Sequence, residues 1–102
     1  MLVLERTTFI PATGAVFRAL SDATRRAILN LLKDGPMRSG DIAARLPVQW
    51  ATVSRHLGVL REAGLITAER NGTTIRYELN TTVLQDVVRH LMTWTQDGGK
   101  DA

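Results

Sequence analysis

A mainly α fold with a β-hairpin is predicted by three features of this 102-residue chain. Apolar residues recur at helical spacing in five stretches, and Gly35-Pro36, Pro47 and Gly64 punctuate them. Between the fourth and fifth stretch the period drops from 3.6 to 2 around Asn71-Gly72, the signal of a tight hairpin. There is no internal repeat and no low-complexity run, so residues 1–102 read as a single domain. A core of this size leaves stability marginal unless a second copy adds buried surface, which makes a homodimer an expectation from length alone.

The elements follow in order. The ten residues before Pro11 read as a flexible extension, and a first helix is expected over Ala12 to Leu20, with Val16, Phe17 and Leu20 on one side. "SDATRRAILNLLKDGP" gives a second helix, capped by Asp22 and striped by Ile28, Leu31 and Leu32. "SGDIAARL" is a third, barely two turns long, with Ile42, Ala43 and Leu46 inward and Pro47 closing it. In "QWATVSRHLGVLREAGLI", Val53, Leu57, Leu60 and Ala63 bury one face of a fourth helix, and Gly64 is its stop signal. "LITAERNGTTIRYELN" supplies the hairpin, with Asn71-Gly72 as the turn pair and Arg70 and Arg76 on its arms. A last helix over Thr82 to Thr95 carries Leu84, Val87, Val88, Leu91 and Met92, with Val83 and Trp94 beside them. That apolar arc is wider than one small core requires, so a partner surface is expected there. Gly98-Gly99 should stop this helix and leave residues 97–102 as a flexible tail.

Charge narrows the function. Eleven of the thirteen basic residues are arginine, whose planar fork suits phosphate and base edges. Between Arg38 and Arg76, six arginines stand against Asp41, Glu62 and Glu69, and six minus three equals the whole net charge of +3. With no cysteine, thiol redox sensing and thiolate metal sites are excluded. No stretch approaches the roughly 18 consecutive apolar residues of a membrane helix. "MLVL" is too short for a signal peptide, so a cytoplasmic location and no membrane insertion are expected.

Two short helices joined by a turn, the second with small polar and arginine side chains near its start, fit a helix-turn-helix. The hairpin that follows serves as its wing, giving a winged helix-turn-helix. In that geometry the exposed face of residues 49–59 meets the major groove of double-stranded DNA. Thr52, Ser54 and Arg55 are expected to read bases, and Arg70 and Arg76, with Gln49, to position phosphates. Gln49 stands where a cap is wanted and is a poor one, which phosphate at the helix amides would offset. Trp50 either lies against a sugar or thymine methyl or covers the domain's own edge. His56 is assigned a structural or phosphate-contacting role. Asp86 and His90 form an i,i+4 pair on the last helix, and the Arg25-Arg26 doublet is expected to bond neighbouring carboxylates and helix ends.

"ALSDATRRAILNLL", "SGDIAARL", "TVSRHLGVLREAGLI" and "RNGTTIRYELN", in that order, resemble the ArsR/SmtB-type winged-helix transcriptional repressors from about Phe17 to Trp94. The resemblance implies four helices, a wing and a fifth helix, a homodimer through the first and last helices, and repression by occupying an operator. The family's sensing chemistry does not carry over. Its third-helix Cys-x-Cys positions fall on Arg38 and Gly40, and its last-helix zinc ligands on Thr81, Val83, Trp94 and Asp97, of which only Asp97 could ligate. No cofactor and no metal are therefore expected. "LNTTVLQDV" is similar to the metal-independent, SdpR-like branch. Release of repression would then fall to a small-molecule inducer, a sequestering protein or autoregulation by concentration alone. The competing class is a winged-helix protein-interaction module without DNA binding, for which Trp50 with Val48 and Val59 would form the patch. An enzyme is not expected: there is no nucleophile–base pair, no glycine-rich phosphate loop, and the two histidines sit in separate helices.

Overall fold

The computed structural model describes the backbone of residues 10–101 and the side chains of residues 14–96. Residues 1–9 of the expected extension and the side chain of Asp97 lie outside the described residues. The order is α1 (Ile10–Leu20), α2 (Ala23–Leu32), β1 (Met37–Arg38), α3 (Ser39–Ala44), α4 (Trp50–Glu62), β2 (Ile66–Asn71), β3 (Thr74–Leu79) and α5 (Thr81–Asp101). All five expected helices and both hairpin strands are present.

The core gathers one face from each helix: Val16 and Ala19 from α1, Ile28 and Leu32 from α2, Ile42 from α3, Val53, Leu57 and Leu60 from α4, and Val87 from α5. These positions recur at three- and four-residue spacing, which is why each helix can bury a stripe while keeping its other side wet. Phe17 departs from its expected inward place. Val16 and Ala19 occupy the inner face of α1, and Phe17, one helical step round, is exposed. The sheet lies against the helices, β3 along α2 and α3 and β2 along α4.

Three local features were not anticipated. First, the hairpin belongs to a three-stranded antiparallel sheet of order β1-β3-β2, in which Met37 pairs with Tyr77 and Arg38 with Arg76. A two-residue strand has no periodicity to betray it. Second, Asn71 pairs with Thr74, so the turn consists of Gly72 and Thr73 rather than Asn71-Gly72. Gly72 has φ +63° and no described non-glycine residue has positive φ, the pattern of a type II′ turn, in which glycine at the first central position takes the strain. Third, α5 runs through Gly98-Gly99 to Asp101. Glycine costs a helix about 1 kcal/mol relative to alanine but keeps its N–H donor, so it weakens the ladder without cutting it as proline does.

The end of α4 is as the sequence predicts. Gly64 takes φ +80° after Ala63, its N–H bonds to the Arg61 carbonyl (3.0 Å), and the Leu65 N–H reaches back to Leu60 (3.0 Å). This is a Schellman closure, and it drops Leu65 into the core at the point where β2 begins.

Candidate nucleic-acid interface

α3, a short turn and α4 form the helix-turn-helix. Val53, Leu57 and Leu60 lock the inner face of α4, which fixes its rotation and turns Gln49, Trp50, Ser54 and Arg55 outward, all exposed, with Thr52 half-buried at the edge. Arg55 makes no ion pair among the described residues. Gln49 occupies the N-cap position with extended backbone (φ −71°, ψ 154°) but gives no side-chain hydrogen bond, so the first amides of α4 have no side-chain acceptor there. Trp50 leaves 54% of its surface exposed. Val48 and Val59 are half-buried, so the three do not assemble into an exposed apolar patch.

Of the two roles expected for His56, the structure favours the structural one: it lies three residues after Val53 on the inner side of α4 and is only 7% exposed. Its Nδ1 accepts from Arg25 Nη1 (3.1 Å), and its Nε2 lies 3.8 Å from Asp22 Oδ2. Arg25 also donates through Nε to the Ala19 carbonyl (2.8 Å) and through Nη2 to the Arg18 carbonyl (3.1 Å). Arg26 Nη1 donates to the Leu20 carbonyl (2.7 Å). The arginine doublet therefore closes the C-terminal end of α1, where the last carbonyls lack the i+4 amide partners of a continuing helix. Through His56, Arg25 fastens that end to the back of α4. Asp22 caps α2 by accepting the Arg25 N–H (3.0 Å). This backbone hydrogen bond is the main reason its carboxyl titrates below the usual range; nearby His56, the Arg25 charge and the Thr24 amide act the same way, against desolvation.

In the wing, the register separates the two expected phosphate contacts. Arg70 pairs with Ile75, whereas Arg76 pairs with Glu69 on one side and Arg38 on the other. Side chains alternate across a sheet, so Arg70 and Arg76 project from opposite faces, and Arg76 has Arg38 as its cationic neighbour. In the sequence Arg38 stood out as one charge among six and as a position where the family's Cys-x-Cys pair is lost, not as a phosphate contact.

α5 carries different chemistry. Asp86 Oδ1 accepts from Arg89 Nη2 (2.8 Å) rather than pairing with His90, whose ring stands edge-on to Trp94 with centroids 5.3 Å apart. A guanidinium at i+3 competes for the carboxylate and takes it with a charge-assisted bond. Among the described residues no three of His, Cys, Asp or Glu come together as a metal cluster. Val88 and Met92, four residues apart on one side of α5, stand 57% and 49% exposed, and Trp94, elsewhere around the helix, is 65% exposed. No helix among the described residues is long and apolar enough to cross a membrane.

With this arrangement in view, comparison with known proteins is decisive. Residues 22–68, from the cap of α2 into β2, match the sequence profile of the bacterial regulatory proteins of the arsR family. The transcriptional repressor SdpR of Bacillus subtilis is 45% identical over 86 residues, covering 84% of this chain and 96% of that repressor. The HTH-type transcriptional regulator CmtR of Mycobacterium tuberculosis is 45% identical over 68 residues, covering 67% of this chain and 58% of CmtR. Among solved structures, an ArsR-like transcriptional regulator from Rhodococcus sp. RHA1 superposes with a TM-score of 0.80 at 30% identity, over 90% of this chain and 87% of that one. These relatives are transcriptional regulators and not enzymes, and their likeness spans the helix-turn-helix, the wing and the flanking helices: the chain belongs to the ArsR family of bacterial regulatory proteins.

Proposed function

We propose that this protein is a transcriptional repressor that binds an inverted-repeat operator as a homodimer. The observation that carries this reading is the outer face of α4, where Ser54 and Arg55 stand exposed and Arg55 unpaired among the described residues, on a helix whose rotation is fixed by Val53, Leu57 and Leu60. Set into the major groove, Thr52, Ser54 and Arg55 read base edges, the arginine by a bidentate contact to guanine. Gln49 and the uncapped amides of α4 face phosphate, Trp50 lies against sugar or a thymine methyl, and Arg70 and Arg76 hold the backbone from the two faces of the wing.

The second copy is assigned to the exposed apolar side chains of α5, Val88, Met92 and Trp94, together with Phe17 of α1, four of the large apolar side chains that the fold leaves in water among the described residues. Two-fold symmetry then sets half-sites one helical turn apart, or a multiple of it. The 45% identity to SdpR over nearly its whole length supports the metal-independent branch. Release is accordingly assigned to a small molecule or a sequestering protein, and the site of action to the cytoplasm, where the DNA is.

Footprinting of the chelator-treated protein across the region upstream of its own gene, with and without added zinc, tests the reading. The expected result is one protected palindrome, the same in both samples. Absence of protection at low salt overturns the repressor reading, and protection that depends on zinc overturns its metal independence.

A further inference from the structure

Like charges placed directly opposite one another weaken a sheet, and sequences ordinarily avoid them. Arg38 on β1 and Arg76 on β3 are such a pair, in register on the sheet face opposite buried Tyr77, and both are exposed. Glu69 flanks Arg76 on the other side, on β2, yet no ion pair joins them among the described residues. Two residues nearer the tip on the same face, Thr74 pairs with Asn71. Arg38, Asn71, Thr74 and Arg76 together line a cleft of about 250 Å³ that has no carboxylate in its wall.

Two guanidinium forks, a hydroxyl and a carboxamide around one small cleft make a receptor for an oxyanion, because each fork offers paired N–H donors and neither makes an ion pair among the described residues. The geometry points to a clamp in which Arg38 and Arg76 grip a single DNA backbone phosphate between them, with Thr74 and Asn71 donating to its free oxygens. This rests on the DNA-binding reading above and adds to it a residue outside both the recognition helix and the hairpin. The clamp sits where the wing joins the helix-turn-helix, since β1 runs directly into α3. It sets the angle between the wing and the groove-reading helix on the duplex, and it carries no base information. The phosphate also removes a repulsion that the free protein bears, so the pair is better matched bound than free.

The test is fluorescence anisotropy with a labelled operator duplex and a random duplex over a range of KCl, for the full chain, Arg38→Ala, Arg76→Ala and the double variant. Arg38 gives α3 no side-chain cap, so its removal should leave the helix start and the melting temperature intact. Arg38→Ala is expected to weaken both duplexes by the same several-fold factor and to flatten the slope of log K against log salt by about 0.9, one phosphate's share. Because both arginines hold one phosphate, the double variant should lose less than the product of the two single losses. An unchanged slope in Arg38→Ala, or losses that simply multiply, overturns the clamp while leaving the repressor reading in place. A wild-type chain that binds neither duplex sinks both. If inorganic phosphate raises the melting temperature of wild type but not of Arg38→Ala while the DNA slope stays the same, the cleft serves a free anion and the DNA clamp is overturned.

Discussion

α4 and α5 are both amphipathic helices anchored on one face, and they differ in what the other face offers. α4 presents glutamine, serine and arginine, whereas α5 presents valine, methionine and tryptophan. A solvated helix face is ordinarily mixed in charge with few large apolar side chains; α4 exposes no carboxylate before Glu62, and α5 exposes Val88 and Met92 beside Gln85 and Arg89. The polar face lacks carboxylates until Glu62, at the far end of α4, so it suits a polyanion. The apolar face is more than a single small core can cover, so it suits a like surface. The contrast teaches that the two partners proposed for this protein, DNA and a second copy, would be written on separate helices and should be separable by mutation.

The largest expected effect comes from charging the apolar face. Val88→Glu places a carboxylate from each copy in the shared surface, so sedimentation equilibrium should return a monomer mass. Operator affinity should fall about 100-fold or more, because two linked half-site contacts become two independent ones. Binding to random DNA at low salt should fall far less. A variant that stays dimeric with operator binding intact would break the comparison, since α5 would then be merely an uncovered helix.

Arg55→Ala is the reciprocal change and is expected to be smaller. It should cost about 1 to 3 kcal/mol on the operator and little on random sequence, with the dimer unaffected. If operator preference survives, the outer face of α4 is not what reads the bases.

How much of this was legible beforehand follows the physics of each signal. The inner face of α4 was fully visible, since Val53, Leu57 and Leu60 repeat at helical spacing and Gly64 marks the stop. The helix number and the wing were visible for the same reason. Contacts between distant segments were not. His56 reads like any polar residue on a helix until Arg25, 31 positions earlier, is seen donating to its ring. Arg38 carries no strand signal, because a two-residue strand exists only through its pairing with β3. The turn shifted by one residue because the sequence allows glycine at either central position, and the register with Thr74 decides which. The swap of His90 for Arg89 as partner of Asp86 is likewise a competition that spacing alone does not resolve.

The buried back of α4 offers a third way to sharpen the comparison. Arg25→Ala removes one hydrogen bond to His56 and two to the carbonyls of Ala19 and Arg18. The expected cost is about 2 kcal/mol of stability, the order measured for bonds to a charged donor that leave partners unsatisfied. For a domain of this size that lowers the melting temperature by roughly 10 °C. Because Arg25 ties the end of α1 to α4, operator affinity should fall further than stability alone predicts, with the variant still fully folded at the assay temperature. Equal operator affinity in folded Arg25→Ala would mean that α4 is held by its apolar face alone. A smaller change in the wing, Gly72→Ala, should cost about 1 kcal/mol by forcing a side chain into φ +63°, and it should leave the α4 and α5 faces untouched.

The smallest expected effect is electrostatic and confined to acid. The Arg25 amide holds the Asp22 carboxyl below its usual range, helped by His56, the Arg25 charge and the Thr24 amide. A carboxyl with a lowered folded pKa stabilises the protein above its unfolded pKa of about 3.9, and that contribution disappears as pH falls through the folded value. Asp22→Asn keeps a competent cap while removing the charge, so the comparison isolates the ionised form. Melting temperatures of the two proteins should differ by a small, constant amount from pH 5 to 8 and converge below about pH 4, where Asp22 in the wild type also loses its charge. A gap that persists undiminished at pH 3 would show that the ionised carboxylate contributes nothing behind α4, and that the cap's geometry is what holds α2 against its inner face.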